Sequence, residues 1–193
     1  ADMTYPEWKK SFVTDEPKSI EKPNAESYNG GIERACQRAL EYGQRTGNEL
    51  LCWADMNGNT PYPDLSGNSN SVQFTQDLID YLNRAPEKSL ACIHNHPSSS
   101  SFSDADLGIM AGFPSIERMR VIGHDGTEYV ASIGSGVRPA FDDICDEMKR
   151  AIDYLMSEFR PQVISGELSQ TEAWKEHTHK AMQEVAKKYK WEY

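Results

Sequence analysis

The sequence predicts an α/β domain, of the α+β kind, in which a small mixed sheet is flanked by helices. Two observations lead to this prediction. Apolar runs of strand length alternate along the chain with amphipathic stretches of helical length. Turn signals separate several of these segments, and Asn57-Gly58 and Asp125-Gly126 stand where hairpins would reverse the chain. The 193 residues suffice for one such domain with a short appendage.

The first half of the chain is predicted as an arm followed by alternating helices and strands. Residues 1–30 contain three prolines and the turn signal Asn29-Gly30-Gly31, which predict an irregular arm. Apolar residues at helical spacing predict a helix over 32–45, which Thr46-Gly47 ends. The other elements of this half are a strand over 49–56, a short strand over 72–74, a helix over 75–84 and a strand over 88–94.

The second half is predicted as a helix, a hairpin and two longer helices. A helix begins near Ser103, and two alternating segments around Asp125-Gly126 form a hairpin. An apolar stripe from Phe141 to Phe159 predicts a long helix, and a last helix covers about 168–190. The chain therefore divides into an N-terminal arm over 1–30, a main domain over 31–160 and a C-terminal helical extension over 161–193.

Composition and charge exclude several classes of function. The chain carries 20 Lys and Arg against 30 Asp and Glu, a formal charge of −10, and contains no basic run. Such a chain is a poor binder of nucleic acid and of anionic membranes. It has no apolar run of about 20 residues and no signal-peptide pattern, so we expect a cytoplasmic protein. Its four cysteines form no CxxC pair and are interpreted as reduced core residues.

One segment carries the residue types of a metal site: His94-Asn95-His96-Pro97, followed after a short loop by Ser103 and Asp106. His94 and His96 end an apolar strand, where residues i and i+2 point the same way, so their imidazoles converge. Asp106 falls in the first turn of the next helix and completes a His-His-Asp set, with the open fourth position of a catalytic zinc site. Structural interpretations stay open, because Ser103 and Asp106 also form a capping box.

This segment resembles the signature of the JAMM (JAB/MPN) metalloprotease family, which is His-x-His-Pro, a short loop and then Ser-x-x-Asp. Its amino-acid sequence is similar to that of bacterial RadC-like proteins and prophage JAB domains, and the resemblance spans residues 31–134. The resemblance implies a JAB/MPN-like fold with a cytidine-deaminase-like architecture. It also implies a zinc ion held by His94, His96 and Asp106, with Ser103 supporting an oxyanion.

The resemblance further implies a catalytic glutamate on a strand upstream of the histidines. Glu49, 45 residues before His94, is the candidate, and Glu41 and Glu87 fit less well. Glu49 would be the general base that activates water with the zinc ion. The implied reaction is hydrolysis of an amide or isopeptide bond in a ubiquitin-like tail or conjugate, as in a deubiquitinase, and the loop over 59–71 would form one wall of the substrate groove.

Other functions and other histidines are weighed against this hypothesis. A JAB fold can serve as a protein-binding module without catalysis. Residues 3–13 resemble a short segment of phage head-morphogenesis proteins, which would make this chain the C-terminal part of a prophage-encoded protein. A further alternative is a prophage or toxin effector domain that acts on host ubiquitin-like conjugates. His177 and His179 would lie on a helix, where residues i and i+2 face apart, so they are predicted to be a solvated pair.

Overall fold

The computed structural model describes residues 25–193, and in this range it has five helices and a five-stranded mixed sheet. The predicted α/β class is therefore confirmed. No helix within these residues is long and apolar enough to cross a membrane. In chain order the elements are α1 (Ala25–Thr46), β1 (Leu50–Asp55), β2 (Leu65–Ser66), α2 (Gln76–Arg84), β3 (Leu90–His96), α3 (Asp104–Gly112), β4 (Ile116–Gly123), β5 (Glu128–Ser132), α4 (Phe141–Ser165) and α5 (Gln170–Tyr189).

The strand order of the sheet is β2-β1-β3-β4-β5, which makes β3 the central strand. β1 runs antiparallel to both of its neighbours, and Leu51 of β1 lies opposite His94 of β3. β3 and β4 are parallel, and α3 supplies the crossover connection that a parallel pair needs. β4 and β5 form the predicted hairpin. The two histidines thus lie at the C-terminal end of the central strand.

The two faces of the sheet belong to two separate hydrophobic cores, because successive side chains of a strand point to opposite sides. Cys52 and Ile93 belong to the core that α1 covers. Trp53 and Cys92 belong to the opposite core, together with apolar residues of α2, α3, α4 and α5. His94 lies two residues after Cys92 and therefore on the same side of the strand. This side is covered by α2, α3, α4 and α5, whereas α1 covers the other side.

The N-terminal helix is longer than the sequence pattern predicts. It begins at Ala25, so residues 25–30 are helical and not part of an irregular arm, while residues 1–24 lie outside the described range. The sequence Asn29-Gly30-Gly31 lies inside this helix and is not a turn. Gly31 is needed for close packing, because a Cβ atom at this position would lie 2.5 Å from the Cα atom of Gly58.

Two predictions around the sheet are also corrected. No strand forms over 72–74, because Phe74 is buried and packs edge-on against Trp53 instead of joining a ladder. The edge position next to β1 belongs to β2, which lies in the predicted loop. At the other end of the chain, α4 continues past residue 160, and α5 contributes Ala181 and Met182 to the same core as the sheet.

Candidate metal centre

The two histidines of β3 meet on one face of the sheet. Their Nε2 atoms lie 3.0 Å apart, and both residues are buried. The strand runs to His96, two residues further than predicted, so both imidazoles belong to regular β-structure with a period of two. The turn after Pro97 returns the chain to α3, with His96 Nδ1 hydrogen-bonded to the Ser100 carbonyl at 3.0 Å. This bond leaves the Nε2 atom of His96 facing His94.

The first turn of α3 brings a carboxylate to the two imidazoles. Ser103 caps the helix, and the Ser103 amide donates to Asp106 Oδ2 at 2.7 Å, while the Asp106 amide donates to Ser103 Oγ at 3.1 Å. The carboxylate of Asp106 also lies 3.2 Å from His94 Nε2 and 3.5 Å from His96 Nε2. The capping box and the His-His-Asp set are therefore one arrangement, since the cap fixes the position of the carboxylate.

The three donor groups fit a small divalent metal ion. The two imidazole nitrogens lie 3.0 Å apart, and the two oxygens of Asp106 lie 3.2 Å from His94 Nε2 and 3.5 Å from His96 Nε2. Tetrahedral ligands that each lie about 2.0–2.1 Å from zinc are about 3.3 Å apart, which is similar to these distances. Two imidazole nitrogens and one carboxylate oxygen suit zinc chemically. The hydrogen bond from His96 to a backbone carbonyl is the kind of support that orients a metal-ligating histidine. His94, His96 and Asp106 thus form a buried group that could hold a metal ion.

Mutual electrostatics stabilise this group when no metal is bound. Burial by itself raises the pKa of Asp106, but the charges and hydrogen bonds of the two imidazoles outweigh burial and hold the pKa well below its usual range. Burial by itself lowers the pKa of His96, but the hydrogen bond and charge of Asp106 outweigh it, and the pKa is raised. The raised pKa of His96 favours its protonated imidazole, and a metal ion would have to displace that proton.

Glu49 lies beside this group, one residue before β1 rather than within the strand. Continuing the antiparallel register from Leu51 and His94 places Glu49 opposite His96. The residue is 7 % exposed, and burial raises the pKa of its carboxyl, with the charges of the two histidines offsetting part of the effect. Glu41 and Glu87 are exposed, whereas Glu49 is buried.

The candidate metal centre opens into a cavity of about 540 Å³. Glu49 and Ser103 line it together with the three ligand candidates, so all five residues singled out from the sequence meet in one space. Residues 69–71, which belong to the loop over 59–71, form part of its wall. Trp174 of α5 also lines the cavity, and no sequence pattern indicates it, because it is 68 residues beyond Asp106.

Asn95, between the two histidines, organises the opposite face of β3. It has no exposed surface, and its Oδ1 accepts the amide of Leu50 at 2.7 Å while its Nδ2 donates to the carbonyl of Asn48 at 2.9 Å. These two bonds hold the chain on both sides of Glu49. His124 Nε2 lies 2.7 Å from Asn95 Nδ2 and completes the network. An asparagine inside a buried strand is unusual, and that is the signal by which sequence reasoning could have found it.

The cysteines and the two histidines of α5 lie outside the His-His-Asp group. All four cysteines are buried and free, as predicted. The prediction of a solvated pair at His177 and His179 is wrong, since His177 is only 3 % exposed and His179 packs against Tyr193. The apolar side of α5 on which His177 lies also carries Trp174, whose ring stands edge-on to the imidazole.

Comparison with protein-family models, curated proteins and solved structures finds no match for this chain. The resemblance of the His-x-His-Pro segment to JAMM enzymes therefore stays a prediction from the motif. The geometry of His94, His96, Asp106 and Glu49 is the observation on which a function can be argued.

Proposed function

We propose that the protein is a zinc-dependent hydrolase that cleaves an amide bond in a peptide or protein. The observation that carries the proposal is the convergence of His94 Nε2, His96 Nε2 and the Asp106 carboxylate within 3.5 Å of one another. A buried carboxyl group, that of Glu49, lines the same cavity. Three protein ligands, an open position and a nearby base are the parts that a zinc hydrolase requires.

Each residue of the site would have its own role in the reaction. Zinc, when bound, makes water a better nucleophile at neutral pH and polarises the scissile carbonyl group. Glu49 would accept a proton from the attacking water and later deliver it to the leaving nitrogen, and a raised pKa makes its carboxylate a stronger base. Ser103 Oγ accepts the amide of Asp106, so its own O–H remains to donate to the developing oxyanion. No covalent intermediate with the protein is needed.

The resemblance to JAMM enzymes favours an isopeptide bond, such as that of a ubiquitin-like conjugate, among the amide bonds in question. An extended tail of such a substrate would bind along the edge of the cavity beside residues 69–71. The second candidate function is a binding module that keeps the fold and the metal but has no turnover.

The proposal is tested first by metal content and then by turnover. Elemental analysis of the protein purified without added metal is expected to give about one zinc per chain. Cleavage of fluorogenic isopeptide and peptide substrates is expected to stop on chelation and to return with added zinc. Failure to take up zinc on titration would refute the site, and a zinc-loaded protein without turnover on any substrate would favour the binding module.

A further inference from the structure

The cavity beside the candidate metal centre changes from polar to apolar over a short distance. Cys92 precedes His94 by two residues on the same face of β3, a step of about 7 Å. Leu51 lies opposite His94, and Ile109 follows Asp106 by one turn of α3. All of these apolar side chains line the cavity. A group bound at the metal centre is therefore in direct reach of an apolar wall.

Beside the polar residues 69–71, apolar residues also line the outer part of the cavity. Val72 is half-buried on the loop before α2, and behind it Phe74 lies on the floor of the cavity. Trp174 also lines the cavity, and 42 % of its surface is exposed. Exposed apolar surface of this kind beside a polar centre is typical of a ligand site.

The charges of the cavity disfavour an anionic ligand group. Its lining contains the acidic residues Glu49 and Asp106, and among the described residues no lysine or arginine lines it. Lys175 follows Trp174 in the chain, but its ammonium is paired with the carboxylate of Asp125. A zinc ion would offset the charges of these two carboxylates, so a free C-terminal carboxylate placed away from the ion would find no cationic partner in the lining.

We propose that the cavity selects an internal amide bond next to a bulky, uncharged apolar side chain, which packs against Leu51, Val72, Phe74 and Ile109 with Trp174 at the rim. The inference rests on the proposed function and adds to it a class of substrate. Cleavage is then of the internal type, and release of single C-terminal residues is disfavoured. Replacing the apolar side chain by glycine is expected to weaken binding about 10-fold to 100-fold, the equivalent of one buried large side chain.

The test separates binding from cleavage. A proteome-derived peptide library is passed over immobilised, zinc-loaded protein carrying Glu49→Gln, which retains zinc but lacks the base. The same library is digested with the unaltered zinc-loaded protein, and cleavage sites are read by mass spectrometry. Retained peptides rich in Phe, Leu, Met or Trp, and cleavage within two positions of such residues, are the expected results.

The possible failures of the two proposals differ. Retention of apolar peptides, with no cleavage of the library or of the isopeptide substrates, would support the inferred ligand class and refute the hydrolase. Cleavage with no apolar preference, or a preference for acidic residues or for the last peptide bond, would overturn the inference and leave the hydrolase standing. If no peptide is retained and neither the library nor the isopeptide substrates are cleaved, both proposals are overturned.

A pair of valine substitutions gives a matched control. Val72→Trp fills the cavity from its half-buried edge and is expected to weaken binding of the best apolar peptide at least 10-fold, to weaken its glycine analogue less, and to leave the zinc content at its normal level. Val130→Trp places the same side chain on an exposed position of β5 that does not line the cavity. This variant is expected to change neither peptide binding nor zinc content. Unchanged peptide selectivity in Val72→Trp would contradict the inference.

Discussion

Two His-x-His sequences occur in this chain, and the secondary structure around each decides what it becomes. On β3 the imidazoles of His94 and His96 have ring centroids 4.8 Å apart, with both Nε2 atoms facing Asp106. On α5 the side chains diverge, since residues two apart on a helix face different directions. His177 Nδ1 bonds to the Ala173 carbonyl at 2.7 Å, and His179 Nδ1 lies 2.6 Å from the Tyr193 hydroxyl.

The comparison shows that burial does not distinguish a candidate site from a structural histidine. His177 is at least as buried as the two histidines of β3, with 3 % of its surface exposed. What distinguishes the strand pair is that donor groups of three separate residues, two imidazoles and one carboxylate, lie within 3.5 Å of one another. Each helix histidine instead bonds to a single neighbour. Convergence on a shared point is therefore the property that indicates a metal site.

The strongest way to test this comparison is to remove one histidine from each pair. His96→Ala is expected to abolish stoichiometric zinc binding and all turnover, because only two ligands remain. His179→Ala removes a histidine of the same motif and is expected to retain about one zinc per chain. Zinc content by elemental analysis and affinity by competition with a chromogenic chelator measure both. Full zinc occupancy in His96→Ala would refute the ligand assignment.

The second test separates the base from the ligands. Glu49→Gln keeps the size of the side chain but removes the group that accepts a proton, so turnover is expected to fall about 10²- to 10⁴-fold. Zinc affinity should change little, since Glu49 is not among the three converging donors. Normal turnover in this variant would mean that another residue serves as base. Glu41→Gln, at an exposed position of α1, is the matched control and should behave like the unaltered protein.

The third test uses two serines that cap helices in the same way. Ser103 and Ser169 each form a capping box, but only Ser103 lines the cavity. Either change to alanine is expected to lower the free energy of unfolding by about 1 kcal/mol. Ser103→Ala should also reduce turnover about 10²-fold through loss of an oxyanion donor. Equal activities of the two variants in steady-state assays would restrict Ser103 to its capping role.

The sequence predicts the parts of this site that depend on local geometry. His94, His96 and Asp106 follow from a strand period of two and a capping box, both of which are set by residues close in the chain. Glu49 could be predicted only from the family resemblance, because local residue spacing does not show which strands pair across 45 residues. Trp174 reaches the cavity only through the packing of α5 on the sheet, which no local pattern encodes.

The pH dependence of zinc binding provides a fourth test. The pKa of His96 is raised in the metal-free protein, because the hydrogen bond and charge of Asp106 outweigh burial. Zinc must displace that proton, so affinity is expected to fall up to tenfold per pH unit as the pH drops below the His96 pKa. The fall should begin above about pH 6.5, the ordinary histidine value. Calorimetry in buffers of different ionisation enthalpy measures the released proton, and a flat affinity between about pH 8 and pH 6 would contradict the prediction.

The smallest expected effect concerns Asn95, which separates the two histidines and points to the other face. Asn95→Leu is similar in size but removes the bonds to Leu50 and Asn48, leaving buried backbone groups without partners, so the free energy of unfolding should fall by about 1–3 kcal/mol. Zinc affinity should persist, because both imidazoles remain on β3. Turnover at a temperature where the variant is folded should fall about tenfold, since Glu49 is held between those two residues and a base displaced by a fraction of an ångström transfers protons less well. Asn95→Asp keeps the acceptor for Leu50 and should recover part of the turnover. If stability falls and turnover does not, Asn95 supports the sheet alone, and the position of Glu49 is set by the pairing of β1 with β3.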